Sequence, residues 1–544
     1  MGGSRKLARP CAPNYIKMRT HTLLFFLAYA TAHAQFTYIT NNDGTIAIRQ
    51  YTGPGGAVTI PSFVRRIASS AFANTSVSSV TIPTNVTLIG HAAFYSCTNL
   101  TGISVDALNQ FYSSVDGALF DSSQATLIQF PPAKLVNNYA VPSSVTRIGY
   151  GAFSSCSNLT NVTINESVES IDIFAFIRCS KLSSVRIPES VTSIGIHAFL
   201  YCANLKEIVV GTNNPAYTSD DGILFDQART RLIECPGGKT GNYVIPDSVA
   251  SIANGAFCGA GLNSVTIDNS VSDIGTETFF GCYNLTSVTI GSGITKIGDY
   301  TFYLCSSLTN VLIPDNVTSI GGLAFGYCSN LRNITIPDGV TSIGYAAFEC
   351  CGNLTSLRIP NGIARIEDGF CFACSSLTNV TLPKSCTYIG VNAFVNCNLA
   401  SVVIPIGVTS VGDYAFFGNT GITAIYFQGN PPTFGPFTFY GDNGAIVYYL
   451  LGTTDWGSTY AGLPTALWNP TIQTADVGFG MQSNQFGFSI SGTTNIPIVV
   501  EASTNLASGE WTFLQAFTIT NGSVHFRDPQ RTIYLRRFYR IRSP

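Results

Sequence analysis

The pattern of apolar and polar positions repeats every 22 or 23 residues from Ile60 to Phe427. One clean copy covers residues 328–348 and reads CSNLRNITIPDGVTSIGYAAF, and the next copy begins at Cys351. A period of this length predicts a solenoid, in which each turn buries its apolar side only against its neighbours. An enzyme is therefore less expected, because most of the chain forms one repeated structural unit.

Within one repeat, the spacing of the apolar residues predicts a short strand followed by a helical turn. Residues 331–336 end in the period-two alternation that is typical of a strand. Pro337 ends this strand, because proline cannot donate to a continuing ladder. The Ala-Phe-x-x-Cys run of residues 347–351 predicts one turn of α- or 3₁₀-helix. The fold class expected from these elements is an α/β solenoid, with parallel strands on one face and short helical turns on the other.

The apolar slot that usually precedes proline gives the register of the repeat through sixteen turns. Its occupants are Ile60, Ile82, Val105, Val141, Ile164, Ile187, Val210, Ile245, Ile267, Ile290, Ile313, Ile336, Ile359, Leu382, Ile404 and Phe427. Two steps are longer than the others, which places insertions near residues 106–138 and 211–242. Both contain Asp-Gly before an apolar run, at Asp116 and Asp221, and this pair predicts a turn or hairpin.

The repeated pattern Leu-x-x-Ile-x-Ile-Pro-x-x-Val-x-x-Ile-x-x-x-Ala-Phe-x-x-Cys closely resembles the BspA-type leucine-rich repeat of bacterial surface proteins, over roughly residues 57–430. The resemblance implies a curved leucine-rich-repeat solenoid on a secreted or surface-exposed protein that binds other proteins. It brings no common catalytic residues with it.

The start of the chain has the pattern of an export signal. Residues 23–30 are an apolar run too short to span a bilayer, and Ala32-His33-Ala34 gives the small-x-small cleavage pattern before Gln35. We therefore predict a signal peptide over residues 1–34, with Met18 as an alternative start, and an exported protein that is secreted or on the cell surface. Beyond the signal, no segment is long and apolar enough to predict a transmembrane span.

After Phe427 the period is lost, and the pattern predicts a C-terminal cap and a further domain after the repeats. The predicted units are an N-terminal cap at 35–56, repeats at 57–428, a C-terminal cap at 429–469 and a small, separate, sandwich-like all-β domain at 470–544. Arginines are frequent near the end of the chain, where a solvated strand face is favoured over contact with anionic polymers. These arginines are Arg527, Arg531, Arg536, Arg537, Arg540 and Arg542.

Ten cysteines occupy one repeat slot, and this column has two interpretations. As a small apolar residue, cysteine suits an inward position of every turn, which predicts buried free thiols. An exported protein with many cysteines is also typical of disulfide frameworks, so a disulfide ladder is the alternative. The ten are Cys97, Cys156, Cys179, Cys202, Cys282, Cys305, Cys328, Cys351, Cys374 and Cys397.

Charge and motif content indicate a non-enzymatic protein. Charged residues make up 11% of the chain and the formal net charge is −2, so nucleic acid is not an expected partner. After signal removal only His91, His197 and His525 remain, and the first two occupy different offsets in their repeats. No phosphate loop, zinc signature or calcium loop occurs, so the sequence predicts no cofactor, no metal and no catalytic residues.

The strand positions that alternate away from the core form the candidate partner-binding face. They are mostly threonine, serine and asparagine, and the few charged positions are where this neutral face discriminates between ligands. The candidate residues are Arg186, Glu207, Arg358, Thr289, Thr335 and Thr381. The predicted function is binding of extracellular or envelope proteins, as in adhesion. The alternative is a polysaccharide-associated accessory protein whose C-terminal β-domain binds glycan.

Overall fold

The computed structural model describes residues 35–442, 444–482, 485–492, 496–506, 509–528, 530, 534 and 536–542. The predicted signal peptide lies outside these residues. The described chain forms a solenoid of parallel strands, which confirms the architecture expected from the period. It contains no helix within the described ranges, so the predicted helical turns are wrong there.

One strand per turn stacks in parallel along one side of the solenoid, and we call this side the strand face. Its strands are β3 (Gly56–Thr59), β5 (Val77–Ile82), β7 (Gly102–Val105), β11 (Asn138–Ala140), β13 (Asn161–Thr163), β15 (Ser184–Ile187), β17 (Glu207–Val210), β21 (Thr240–Val244), β23 (Gly261–Thr266), β25 (Ser287–Thr289), β27 (Asn310–Leu312), β29 (Asn333–Thr335), β31 (Ser356–Arg358), β33 (Asn379–Thr381), β35 (Ser401–Ile404), β37 (Ala424–Phe427), β39 (Ile446–Leu450) and β41 (Leu463–Trp468). The β27–β29 pairing sets Leu312 opposite Thr335, so the slot residues Ile313 and Ile336 belong to successive rungs.

Shorter strands form a second parallel ladder in most turns, just after the residue that follows the apolar slot. They are β4 (Val64–Ile67), β6 (Leu88–Ile89), β12 (Arg147–Ile148), β14 (Ser170–Ile171), β16 (Ser193–Ile194), β22 (Ser251–Ile252), β24 (Asp273–Ile274), β26 (Lys296–Ile297), β28 (Ser319–Ile320), β30 (Ser342–Ile343), β32 (Arg365–Ile366), β34 (Tyr388–Ile389), β36 (Ser410–Val411) and β38 (Thr433–Phe434). At the N-terminal end, β1 (Phe36–Thr40) pairs antiparallel with β2 (Ile46–Tyr51), and β2 continues this ladder in parallel with β4.

The corner that was predicted to be helical is a series of turns linked to the next repeat. In one corner, Leu323 and Tyr327 have φ values of 54° and 60°, in the left-handed region that a right-handed helix excludes. Alternate backbone N–H groups donate across to the next turn, and the others donate three residues back. The bonds across are Leu323 to Tyr345, Phe325 to Ala347 and Tyr327 to Glu349, and those back are Gly326 to Leu323 and Cys328 to Phe325. Bonding between turns therefore replaces the helical pattern.

A column of phenylalanines fills the centre of the solenoid. The rings of Phe279, Phe302, Phe325 and Phe348 are fully buried, and their successive centroids lie 5.3, 5.3 and 5.6 Å apart in stacked geometry. Each ring therefore packs against the ring of the turn before and the turn after. This one-dimensional stacking is how the repeat buries apolar surface that no single turn can bury alone.

The cysteine column lies beside the phenylalanines, and its thiols are free. All fifteen cysteines in the described part of the chain are unpaired, and only Cys350 is more than slightly exposed. A column thiol donates to the carbonyl oxygen of the phenylalanine one turn earlier, as Cys328 does to Phe302 at 3.1 Å. In a later turn Asn419 takes the same slot, and its amide donates to the carbonyl of Phe394 at 2.8 Å. The slot thus holds a small side chain, which donates a hydrogen bond in these turns.

We expect thiol titration of the denatured, unreduced protein to find most cysteines free. Burial raises the pKa of Cys328 and keeps its thiol protonated, which suits a donor and disfavours the thiolate that starts disulfide exchange. Titration with a chromogenic thiol reagent, with a fully reduced sample as the control, measures the free fraction. Oxidation of nearly all cysteines would show that the column is a disulfide ladder instead.

Each insertion forms an antiparallel three-stranded meander, and its Asp-Gly pair lies in the predicted turn, between the first two strands. The first contains β8 (Tyr112–Val115), β9 (Ala118–Asp121) and β10 (Thr126–Gln129), and the second contains β18 (Tyr217–Asp220), β19 (Ile223–Asp226) and β20 (Arg231–Glu234). The last strand of each meander joins the second ladder in parallel, β10 beside β12 and β20 beside β22. An insertion is therefore an extra, modified turn of the solenoid.

The two insertions are held by matching hydrogen bonds. The buried amide of Asn109 donates to the carbonyls of Pro83 and Val86, and that of Asn214 donates to Pro188 and Val191 in the same way. The Tyr112 hydroxyl accepts the Ile89 N–H at 2.8 Å, and the Tyr217 hydroxyl accepts that of Ile194 at 3.0 Å. The two insertions therefore have the same hydrogen-bonded framework, which we call the scaffold.

Beyond Phe427 the parallel stack continues within the segment that was predicted as a C-terminal cap. β39 pairs with β37, and β41 pairs with β39, so two more strands extend the strand face. The short strand β40 (Thr459–Tyr460) folds back antiparallel on β41. Trp456 and Tyr460 pack against Phe427 with ring centroids 5.1 Å away, which covers the apolar end of the core.

The described residues after Pro470 form two antiparallel sheets, and we call residues 470–542 the C-terminal module. One sheet contains β42 (Thr471–Gln473), β43 (Gly480–Gln482), β44 (Gln485–Ser491) and β47 (Ser523–Asp528), and the other contains β45 (Ile496–Ser503), β46 (Thr512–Ile519) and β48 (Phe538–Arg542). Apolar side chains of the module share a buried cluster with Ala424, Tyr426 and Tyr448 of the solenoid. A separate sandwich-like domain stays a prediction, and these contacts show that the module packs on the strand face.

Candidate functional site

The outward positions of the strand face are aligned across successive strands. Thr266, Thr289, Leu312 and Thr335 are opposite one another from β23 to β29. All four are exposed, while the residues on either side of each point into the core. The strand ladder fixes the spacing and direction of these side chains, so the surface is ordered before any partner binds.

Three of the candidate residues cluster at one part of this face. Arg358 is opposite Thr381 in the β31–β33 pair, and Thr335 precedes them in the same column. The Arg358 guanidinium contacts the Asp338 carboxylate at 2.7 Å, with both side chains more than half exposed. An exposed pair of this kind contributes little to stability, so both charges are available to a ligand.

The other two charged candidates lie in a separate group. Arg186 on β15 is opposite Val209, and Glu207 on β17 is opposite Ser184. Immediately after β17, the turn of the second meander packs on the strand face: Gly222 accepts the Ile208 N–H at 2.8 Å and leaves no room for a Cβ beside Glu207. The meander therefore divides the predicted face, with Arg186 and Glu207 on one side and Thr289 to Thr381 on the other.

The C-terminal module covers one end of the strand face, which the sequence reasoning missed. Val403 follows Thr381 in the outward column of the strand face, but it packs against the buried cluster under the module. The Trp468 indole donates to the Pro497 carbonyl at 3.1 Å and helps to fix this contact. The available signal was a change of the outward positions from Thr and Ser to Ala424 and Tyr426.

Where the module meets the exposed part of the face, a groove of about 650 Å³ remains. Thr381, Lys384 and Arg542 are among its lining residues, so it is polar with positive charge at its edges. Arg542 is held by the Glu501 carboxylate at 2.7 Å. The free strand face thus ends in a bounded groove and not in open solvent.

Several of the C-terminal arginines have partners within the module. Arg537 is buried and contacts the buried Asp528 carboxylate at 2.6 Å, and Arg540 contacts Glu501 at the same distance. These two arginines hold β48 in place. A binding role for them toward anionic polymers is correspondingly less supported.

The three histidines lie in different parts of the structure and have different surroundings. His91 is exposed near the first insertion, and His197 is partly buried beside the second, where its Nε2 lies 3.3 Å from the Glu277 carboxylate. Burial lowers the pKa of His197, and the neighbouring Glu277 opposes this shift. His525 is opposite Ser489 in the β44–β47 pair, with Nδ1 3.2 Å from the serine hydroxyl. In the part of the chain that the structure describes, no group of three or more His, Cys, Asp or Glu residues could hold a metal ion.

A comparison of the sequence with protein-family profiles decides the family. The profile described as "BspA type Leucine rich repeat region" matches in six copies over residues 29–140, 133–221, 237–325 and 295–423, which is more than half of the chain. The chain belongs to the BspA-type leucine-rich repeat family. This confirms the resemblance that the repeat motif indicated. No curated protein is significantly similar to this BspA-type chain.

Solved leucine-rich repeat structures are also similar to the chain. A leucine-rich cell surface protein from Faecalibacterium prausnitzii A2-165 has 28% identity, with 64% of this chain and 92% of that one covered and a TM-score of 0.39. The pneumococcal vaccine antigen PcpA has 20% identity, coverages of 76% and 94%, and a TM-score of 0.39. A leucine-rich repeat protein from Bacteroides ovatus ATCC 8483 has 23% identity, coverages of 80% and 98%, and a TM-score of 0.35.

Among the described residues, no helix has the length and apolar character needed to cross a bilayer.

Proposed function

We propose that this BspA-type protein is an exported, non-enzymatic binding protein that uses its strand face to bind an extended protein partner outside the cell. The observation that carries the proposal is the exposed, aligned array of outward side chains from β21 to β33. The family supports a protein-binding repeat module, and the export pattern at residues 1–34 supports a location outside the cell.

The strand face has the physical properties of a recognition surface. Because its backbone is held in parallel ladders, little conformational entropy is lost when a partner binds. Its exposed side chains are mostly small and neutral, but Leu312 and Val244 are 67% and 66% exposed and offer apolar contact. Arg358 and Asp338 add one pair of opposite charges to this surface. Small apolar anchors within a polar surround are typical of protein interfaces.

Site-specific photo-crosslinking tests which face binds. A benzoylphenylalanine residue is placed at Thr335 on the strand face or, as the control, at Tyr345, which is exposed on the turn side of the same repeat. Each protein is irradiated with bacterial envelope proteins and with extracellular proteins, and the crosslinked products are identified by mass spectrometry. The proposal expects specific products from position 335 and not from 345. The reverse pattern would contradict it.

We expect the triple replacement Arg186→Ala, Glu207→Ala and Arg358→Ala to weaken binding of a partner identified in this way by about tenfold or more, measured by biolayer interferometry. All three side chains are exposed, so each change should alter the free energy of unfolding by less than about 0.5 kcal/mol. The control replaces Asp273 and Lys296, which are exposed on the second ladder. Unchanged binding by the triple variant would exclude these charges from recognition.

The alternative proposal is a polysaccharide-associated protein that binds glycan through the C-terminal module. Trp511 is the module's aromatic candidate, although the Arg540 guanidinium lies 4.3 Å from its ring centroid and covers one side of it. The full chain is the suitable sample, because the module shares buried surface with the solenoid. If Trp511→Ala abolished retention on insoluble polysaccharide while the strand-face variants had no effect on any ligand, the alternative would replace the main proposal.

A further inference from the structure

The two insertions share one scaffold but differ at a corner position beside it. Ala92 and His197 each lie two residues before the core phenylalanine of their turn, and each has a left-handed φ, of 56° and 59°. At the second insertion, the His197 ring stacks on Phe174 with centroids 5.7 Å apart and packs against Gly255, where no Cβ would fit. The corner is filled there by the protein's own side chain.

At the first insertion the equivalent position is Ala92, which has no ring. A pocket of about 180 Å³ remains, and Ala92 is part of its wall. This volume equals about six waters at roughly 30 Å³ each. It is smaller than the roughly 300–1,000 Å³ of pockets for drug-sized ligands, so it suits a single small ring.

The pocket is lined by polar and aromatic side chains and, apart from Tyr112, which holds the meander in the same way as Tyr217, the scaffold does not require them. Its chemically active lining residues are His91, Tyr112, Arg147, Tyr150 and Asp172. At the second insertion the matching positions carry small or uncharged residues: Ser251 replaces Arg147, Asn254 replaces Tyr150 and Gly275 replaces Asp172. The second meander folds without these side chains. The Tyr150 ring, the Arg147 cation and the Asp172 carboxylate are therefore not explained by folding.

The charged pair in this pocket is held in a fixed orientation. Arg147 Nε lies 2.9 Å and Nη2 2.7 Å from Asp172 Oδ2, and the carboxylate is mostly buried. The pair is electrically neutral, so it gives no preference for an ionic ligand. Its remaining donors and acceptors suit neighbouring hydroxyl groups, each of which can donate and accept a hydrogen bond. Beside it, the rings of His91 and Tyr150 lie 6.1 Å apart and form an apolar wall.

We propose that this pocket binds one neutral pyranose unit of a glycan. A pyranose combines vicinal hydroxyls, which match the Arg147–Asp172 pair, with an apolar ring face, which matches Tyr150. This site is distinct from the strand face and does not depend on the protein-binding proposal.

Saturation-transfer NMR on the full chain tests the proposal, with the methyl glycosides of glucose, galactose and N-acetylglucosamine as probes and methyl glucuronide as the anionic comparison. We expect at least one neutral glycoside to bind with a Kd in the range of about 1 mM, as one ring in a small pocket permits. Ala92→His should weaken this binding at least about tenfold, because it adds an imidazole ring to the pocket wall. Arg147→Ser, which installs the residue of the second insertion, should weaken it similarly.

The matched control is His197→Ala, which opens the corner at the second insertion without supplying the polar lining, and it should add no second site. Unfolding temperatures of all variants are compared with that of the natural sequence, and both replacement residues already occur at the matching positions of this scaffold. Binding that survives Ala92→His and Arg147→Ser unchanged, a lack of saturation by every neutral probe, or binding of the glucuronide alone would each overturn the proposal.

Discussion

Replacing Phe348 by alanine is expected to lower the free energy of unfolding by about 3–5 kcal/mol. The ring is fully buried, stacks on Phe325 at 5.6 Å and contacts the edge of Phe370 at 5.6 Å. The replacement leaves a cavity between two neighbouring turns, and rigid strand ladders on both sides limit how far it can collapse. Chemical denaturation followed by circular dichroism measures the loss.

The damage should also spread to the adjacent turns, because each turn of a solenoid is stabilised by its neighbours. Hydrogen exchange followed by mass spectrometry should show lost amide protection in β29 and β31, with distant turns such as β13 unaffected. Ile406→Ala is the control, since this side chain is 73% exposed and its loss should cost less than about 0.5 kcal/mol. A loss below about 1 kcal/mol in the Phe348 variant, with protection unchanged, would contradict the stacked-core interpretation.

Most of the core could be predicted from the sequence, because a repeat gives each position the same surroundings in every turn. Once Phe348 and Cys351 were assigned inward positions in one copy, their equivalents followed along the chain, and these are buried. The helical corner could not be predicted in this way. Spacings of three and four residues occur both in a helix and in this corner, and hydrogen bonds to the next turn decide between them.

The candidate face was predicted in part. Period-two alternation correctly assigned Thr335, Arg358 and Thr381 to the exposed side. Its division by the Gly222 turn and the cover over Val403 depend on contacts between segments that are far apart in sequence. Strand alternation carries no information about such contacts. The pocket beside Ala92 was also out of reach, because it appears only when the two insertions are compared in three dimensions.

The stability of the protein is expected to fall as the pH rises from about 4.5 to about 8, and Glu234 is one of two buried carboxyl groups that cause this dependence. Its side chain is buried on β20, and burial raises its pKa from 4.5 to about 8. The folded state therefore binds a proton that the unfolded state has released in this range. Stability from this group is fully present below pH 4.5 and is lost as the pH rises through 8, by about 3–5 kcal/mol in all.

The first insertion shows how this dependence can be removed. Gln129 is the equivalent of Glu234, and its buried amide donates to the carbonyls of Phe130 and Ala152 at 2.8 and 3.3 Å. Above pH 7 the folded protein must either keep Glu234 protonated, although the unfolded chain has released this proton, or bury its negative charge. Both cost free energy, so Glu234→Gln should stabilise the protein in this range. Urea unfolding measured at pH 5, 6 and 7, below the range in which the unfolded cysteine thiols ionise, should show a smaller decrease for this variant than for the natural sequence.

Two further variants separate the sources of the remaining slope. Burial also raises the pKa of Asp442 to about 8, so Glu234→Gln should keep part of the pH dependence and the double variant with Asp442→Asn should lose most of it. Asparagine suits that position, because Asn419 occupies the same repeat slot one turn earlier and donates to the carbonyl of Phe416 at 2.7 Å. Glu169→Gln, at an exposed position, is the control and should leave the slope unchanged. If the free energy of unfolding changed with pH by the same amount in Glu234→Gln as in the natural sequence, the proposed role of Glu234 would be wrong. Glu234 would then have to be ionised in the folded protein, and its buried carboxylate would need a compensating partner.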